Sequence, residues 1–284
     1  MTDHGAAGGR SLHHVAEGAS GEPAGSGRVV LVHGFTQTQA AWEPVAARLR
    51  PRWRLVRADL PGHGGSAGVR AGFAEAAGLL GECGGRAAYV GYSLGGRLCL
   101  RLALDRPELV RALVLLGASP GIADPAARAE RRAADEALAA GIEDDGVAAF
   151  LDRWLAGPLF ATLPPARAGL PDRLANTPEG LASALRLLGA GAQAPLWDRL
   201  AGLRCPTLLV AGALDARFAD LAAQMATAIG PAAQVALVPG AGHAAHLERP
   251  TEVAALLEGF LTSRLTSHPD GRPPGPSATG RGAT

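Results

Sequence analysis

The sequence predicts a doubly wound, mostly parallel α/β sheet. Short apolar runs of strand length alternate with stretches of helical period. Most of the runs are unbroken by polar residues, as in strands covered on both faces. Polar residues with chemical potential stand just after the runs end, where sheets of this class gather their reactive groups.

Taken in order, residues 28–32 run straight into His33-Gly34, and residues 53–58 end at Asp59. Residues 87–91 end just before Ser93, and residues 111–116 end at Gly117. Residues 207–210 end before Gly212, and residues 234–238 end at Pro239-Gly240. The helices between them show the expected period. In the last one Val253, Leu256, Leu257, Phe260 and Leu261 share a face, while Glu252 and Glu258 point away. Residues 122–200 break the rhythm. They hold no convincing strand, only Ala- and Arg-rich helical sequence with Pro breaks, and are too long for an ordinary connection. The expected organisation is an N-terminal segment over 1–27, partly flexible, and a first core part over 28–121. A helical cap over 122–200, inserted after the sixth strand of the fold, a second core part over 201–265 and a disordered tail over 266–284 complete it.

Composition narrows the function. The chain has 284 residues, 48% of them apolar, enough for one large domain with a sizeable core. The formal charge is +1 with no long run of one sign, which argues against nucleic acid or an anionic membrane as partner. Every cation is Arg, so Lys is removed as a Schiff-base or general-base candidate. Cys83, Cys99 and Cys205 are odd in number and widely spaced, suiting neither a metal site nor a disulfide framework. The N-terminal segment lacks the apolar core of a secretory signal, and no stretch reaches the length of a membrane span. These features predict a soluble, cytoplasmic protein. A monomer or weak homo-oligomer is expected, an assembly that no feature of the sequence specifies.

The strongest local signal is Gly91-Tyr92-Ser93-Leu94-Gly95-Gly96, following a strand and opening a helix. This is the context of a nucleophile elbow, in which glycines let strand and helix approach and a strained turn holds the Ser hydroxyl out. A Gly-rich turn with a capping Ser uses the same residues. The rest of the chain favours the elbow, because a Ser hydroxyl needs a His to take its proton and the His needs an acid to fix its tautomer. Asp215 and His243 follow the last two strands, in the order Ser, acid, His. Ser93, Asp215 and His243 are therefore the catalytic candidates. After the first long strand, His33-Gly34-Phe35 would direct the Phe35 backbone N–H, with that of Leu94, at a developing oxyanion. His33 is expected to brace that loop. Asp59 precedes the nucleophile and is assigned a structural role, and His246 is a rival base.

The motifs HGF, DLPGHGGS, GYSLGGR and GAGHAAH, together with residues 12–262 as a whole, resemble the α/β-hydrolase superfamily. Within it the chain looks most similar to the 2-succinyl-6-hydroxy-2,4-cyclohexadiene-1-carboxylate synthases of menaquinone biosynthesis, the MenH family. The more specific matches are Arg97 after the elbow, residues 117–121 leading into residues 128–132 and Asp135, and residues 154–163 and 189–200. Residues 215–218 match too, although many members have Lys where this chain has Arg217. The resemblance implies an α/β-hydrolase fold and a lyase: a base removes a ring proton and the enolpyruvyl group leaves as pyruvate while the ring gains a double bond. It implies no cofactor and no metal. It also implies a substrate bearing several carboxylates, for which Arg97 and Arg131 are candidate ligands through paired hydrogen bonds. Tyr92 and Trp154 match positions near the substrate, and Arg128 is a further candidate. A hydrolase of esters or vinylogous diketones through the same triad is the alternative, and a non-catalytic binding protein on this fold a third reading.

Overall fold

The computed structural model describes residues 11–18 and 27–266. Its sheet has seven strands: β1 (His14–Gly18), β2 (Arg28–Val32), β3 (Arg54–Ala58), β4 (Ala87–Tyr92), β5 (Val110–Leu116), β6 (Thr207–Gly212) and β7 (Ala233–Val238). Their order is β1-β3-β2-β4-β5-β6-β7. All neighbours are parallel except β1, which pairs antiparallel to β3 with His14 opposite Ala58. Residues 14–18 lay inside the N-terminal segment of the sequence reading. They instead form an edge strand, one whose polar His14 and Glu17 suit half-exposed positions.

The helices are α1 (Glu43–Leu49), α2 (Phe73–Gly84), α3 (Leu94–Asp105), α4 (Pro125–Leu155), α5 (Leu170–Leu174), α6 (Pro178–Leu188), α7 (Ala216–Ile229), α8 (Ala245–Glu248) and α9 (Pro250–Leu261). Burial on both faces explains why the central strands are largely apolar. In β2, Val30 and Val32 enter one core with Leu98 and Leu102, while Val29 and Leu31 enter another with Trp42 and Leu257. Successive side chains point to opposite faces, and both faces are covered by helices. In β7 at the far edge, Val235 and Leu237 remain exposed.

Between β5 and β6 lies the helical insertion. Counted along the described residues it follows the fifth strand, where the sequence reading put it after the sixth strand of the fold. Asp124 caps α4, its Oδ1 accepting from Ala127 N at 2.7 Å. Thr177 caps α6 in the same way, Oγ1 accepting from Gly180 N at 3.1 Å. The two helices bury a small core of their own, including Ile142, Phe150, Leu151, Leu181 and Leu185. Gly146 interrupts α4 with φ 80° and ψ 170°, dividing it into two helical pieces. The expected tail over 266–284 lies outside the described residues except for Thr266, as does much of the expected N-terminal segment.

Candidate active site

Ser93 stands between β4 and α3 with φ 49° and ψ −109°, a conformation that L-residues rarely adopt. The neighbouring glycines make the turn possible. A Cβ on Gly91 would lie 2.5 Å from Gly96 N, and one on Gly95 would lie 2.5 Å from the carbonyl oxygens of Val32 and His33. Strand, loop and helix thus meet more closely than any side chain would allow.

His243 follows β7 and turns its ring toward Ser93. Its Nδ1–H donates to Asp215 Oδ2 at 2.8 Å, which leaves Nε2 as acceptor 3.4 Å from Ser93 Oγ. Asp215 is held in turn at the start of α7, where its Oδ1 accepts from Phe218 N at 3.3 Å. The imidazole packs between Tyr92, at 5.3 Å, and Phe218, at 4.5 Å between centroids. A hydroxyl, an imidazole of fixed tautomer and an orienting carboxylate can together move a proton to or from a molecule over Ser93.

Glu248, which no sequence signal marked, holds the His243 turn from both sides. Its buried carboxylate accepts from Gly242 N at 2.9 Å and from Ala244 N at 3.2 Å. His246 lies in the same turn but faces away from the cavity. Its Nε2 accepts from Gln37 Nε2 at 3.2 Å, and burial, with Arg173 adding to the effect, keeps it neutral by lowering its pKa well below the ordinary value.

The loop after β2 lies against this centre. Gln37 Oε1 accepts from Gly34 N at 3.0 Å, and Asp59 Oδ1 accepts from Gln39 N at 2.7 Å. His33 is fully buried, its Nε2 accepting from Leu60 N at 3.0 Å and its Nδ1–H donating to Gly34 O at 2.8 Å. Thr36 carries a strained φ of 68°. It is gripped by three contacts: its N–H donates to His63 Nε2 at 3.3 Å, Asn176 Nδ2 donates to its carbonyl at 2.8 Å, and Arg173 Nη1 donates to its hydroxyl. Arg173 comes from α5 and has no carboxylate partner among the described residues, and burial lowers its pKa to about 10. No feature of the sequence had set Arg173 apart from the chain's other arginines.

A cavity opens over Ser93 between the sheet and the insertion. Phe35, Leu94, Arg97, Arg131, Trp154 and His243 are among its walls, so most of the expected site residues meet there. Arg97 donates to Gln193 Oε1 and to Leu188 O, each at 2.9 Å, and burial, then repulsion from Arg131, lowers its pKa to about 10. Arg131 Nε donates to Asp135 Oδ1 at 2.8 Å. Arg217 adds a third guanidinium to the wall, and no carboxylate is among the described residues that line it. Trp154 packs on Phe35 at 5.6 Å between centroids, tying the insertion to the loop after β2.

Two expected substrate contacts lie elsewhere. Tyr92 is buried behind His243 with its ring 4.2 Å from that of His246, filling the space that Gly34 leaves open. Arg128 turns back on its own helix start, donating to Ile122 O at 2.9 Å, and does not line the cavity.

Among the described residues no group of His, Cys, Asp and Glu is arranged to hold a metal ion, and no helix is long and apolar enough to cross a membrane. Residues 29–256 match the alpha/beta hydrolase family. The chain is 33% identical over 259 residues to the 2-succinyl-6-hydroxy-2,4-cyclohexadiene-1-carboxylate synthase of Salmonella newport, covering 87% of this chain and 98% of that one. Among solved structures it is similar to MenH from S. aureus, with 30% identity, a TM-score of 0.82, and coverage of 89% of this chain and 98% of that one. A thermophilic esterase from Thermogutta terrifontis shares the fold at 23% identity and a TM-score of 0.77, over 90% of this chain and 95% of that one.

Proposed function

Because the chain belongs to the alpha/beta hydrolase family, and within it to the 2-succinyl-6-hydroxy-2,4-cyclohexadiene-1-carboxylate synthases, we propose that it is a pyruvate-eliminating lyase of menaquinone biosynthesis. The observation that carries this reading is the cavity over Ser93, with three guanidinia and no carboxylate on its described wall. A neutral ester gains little from three guanidinia on one wall, whereas a substrate with several carboxylates is gripped by them.

On this reading Ser93 Oγ takes the ring proton beside the succinyl carbonyl of 2-succinyl-5-enolpyruvyl-6-hydroxy-3-cyclohexene-1-carboxylate, its own proton passing to His243 Nε2. Asp215 stabilises the imidazolium and fixes its orientation. Charge moves onto the carbonyl oxygen, where the Phe35 and Leu94 backbone N–H groups receive it. As the charge returns, the second ring double bond forms and the C–O bond to the enolpyruvyl group breaks. Enolpyruvate leaves and becomes pyruvate on taking up a proton at carbon. Arg97 and Arg131 hold the substrate's carboxylates, and Trp154 packs against it. The enzyme works in the cytoplasm on this small polycarboxylate, without a nucleic-acid or membrane partner and without cofactor or metal, as a monomer or weak homo-oligomer.

The test supplies freshly made enolpyruvyl substrate and follows pyruvate release against the spontaneous rate. Acceleration that disappears in Ser93→Ala supports the reading; no acceleration by the wild-type protein overturns it.

A further inference from the structure

The cations of the cavity are held in different ways. Arg131 is paired with a carboxylate, Asp135, at 2.8 Å. Arg97 has only neutral acceptors: the Gln193 amide oxygen and the Leu188 carbonyl at the end of α6. Its guanidinium carbon lies 5.6 Å from the centroid of Phe73, an apolar face that adds no acceptor. Gln193 itself is fully buried, and its Nε2 has no hydrogen-bond partner among the described residues. A buried amide with one half unpaired is destabilising. A Glu at this place would have nearly the same shape and would form a charge-assisted bond to Arg97, with its second oxygen taking the place of the orphaned donor. The neutral side chain leaves Arg97 without the hydrogen-bonded carboxylate that Arg131 has in Asp135.

We propose that Gln193 is a positioning residue for the elimination: with the Leu188 carbonyl it forms a neutral cradle that aims Arg97 and leaves it without a hydrogen-bonded carboxylate of its own, open to a carboxylate of the substrate. A carboxylate at the same distance would act as an internal competitor, occupying the guanidinium that the substrate must grip. The cradle also fixes the fork of Arg97, so less rotamer entropy is lost when substrate arrives. Gly121 completes it, because a Cβ there would lie 3.1 Å from Gln193 Nε2. The inference rests on the reading of Arg97 as a substrate ligand.

The experiment measures kcat, KM and Tm for the full-length wild type and for Gln193→Glu, Gln193→Met and Arg97→Ala. Gln193→Glu is expected to raise KM by about tenfold or more, with kcat nearly unchanged. A raised KM beside an unchanged kcat is a split that loss of a merely structural contact does not produce. Gln193→Met removes the acceptor without adding charge and is expected to raise KM about threefold, a smaller rise. If the Glu variant does not fold, the Met variant still decides, and a wild-type KM there overturns the cradle. A wild-type KM in Gln193→Glu overturns it as well. A raised KM in Arg97→Ala beside wild-type values in both Gln193 variants removes the cradle alone. A wild-type KM in Arg97→Ala removes the substrate-ligand reading beneath it.

Discussion

Ser93 keeps its positive φ because the groups around it leave no alternative, and a few neighbouring side chains set what its hydroxyl can do. Ser93→Ala should fold normally and lose at least about 10³-fold in kcat, measured by pyruvate release. Asp215→Asn should cost a similar factor with an unchanged Tm, because the amide no longer enforces the His243 tautomer. Glu248→Gln replaces one of two accepting oxygens with a donor facing a backbone N–H. It should lower stability by about 1–3 kcal/mol and reduce kcat, read from denaturant unfolding beside the kinetics. Ser93, Asp215 and His243 were legible in the sequence because each follows a strand end, so one-dimensional spacing fixes one sheet edge. Glu248, Arg173 and Gln193 were not. Arg173 meets Thr36 across 137 positions and Gln193 meets Arg97 across 96, and nothing local to either residue marks the partner. Tyr92 and Arg128 were expected at the substrate by sequence position, which does not say which way a side chain turns.

At the scale of the element, the apolar strands β2 to β6 and the helices between them could be read from period alone, since burial on both faces leaves a continuous signature. β1 escaped because a short, half-exposed edge strand alternates polar and apolar residues like a loop. The interruption of α4 escaped because Gly146 follows Asp144 and Asp145 in a run that otherwise favours helix. Gly146 has φ 80° and ψ 170°, a region nearly confined to glycine, with open space where a Cβ would sit. Gly146→Ala should therefore destabilise the protein by about 1–3 kcal/mol through backbone strain alone. A Tm equal to wild type would mean that α4 straightens at no cost.

For the whole molecule, three buried histidines set the response to acid. Burial, offset in part by Asp59, lowers the pKa of His33; burial, then His33, lowers that of His63 to about 3; burial lowers that of His246 well below 6.5. Each is neutral when folded and takes up a proton when unfolded, so the unfolded chain binds more protons below pH 6.5. The stability they contribute is fully present above that pH and is lost as pH falls toward 3. The slope reaches at most about 4 kcal/mol per pH unit if all three titrate only on unfolding. A Tm series from pH 7.5 to 4.5 should fall steeply below 6; a flat profile would mean that the unfolded chain gains no protons over the folded one. The insertion also touches the chemistry at a distance. Arg173 and Asn176, on and just after α5, hold the strained Thr36 beside Phe35. A lid that lifted to release product would therefore loosen the loop bearing the Phe35 amide in the same motion. Access and reactivity would then be coupled through the same few hydrogen bonds.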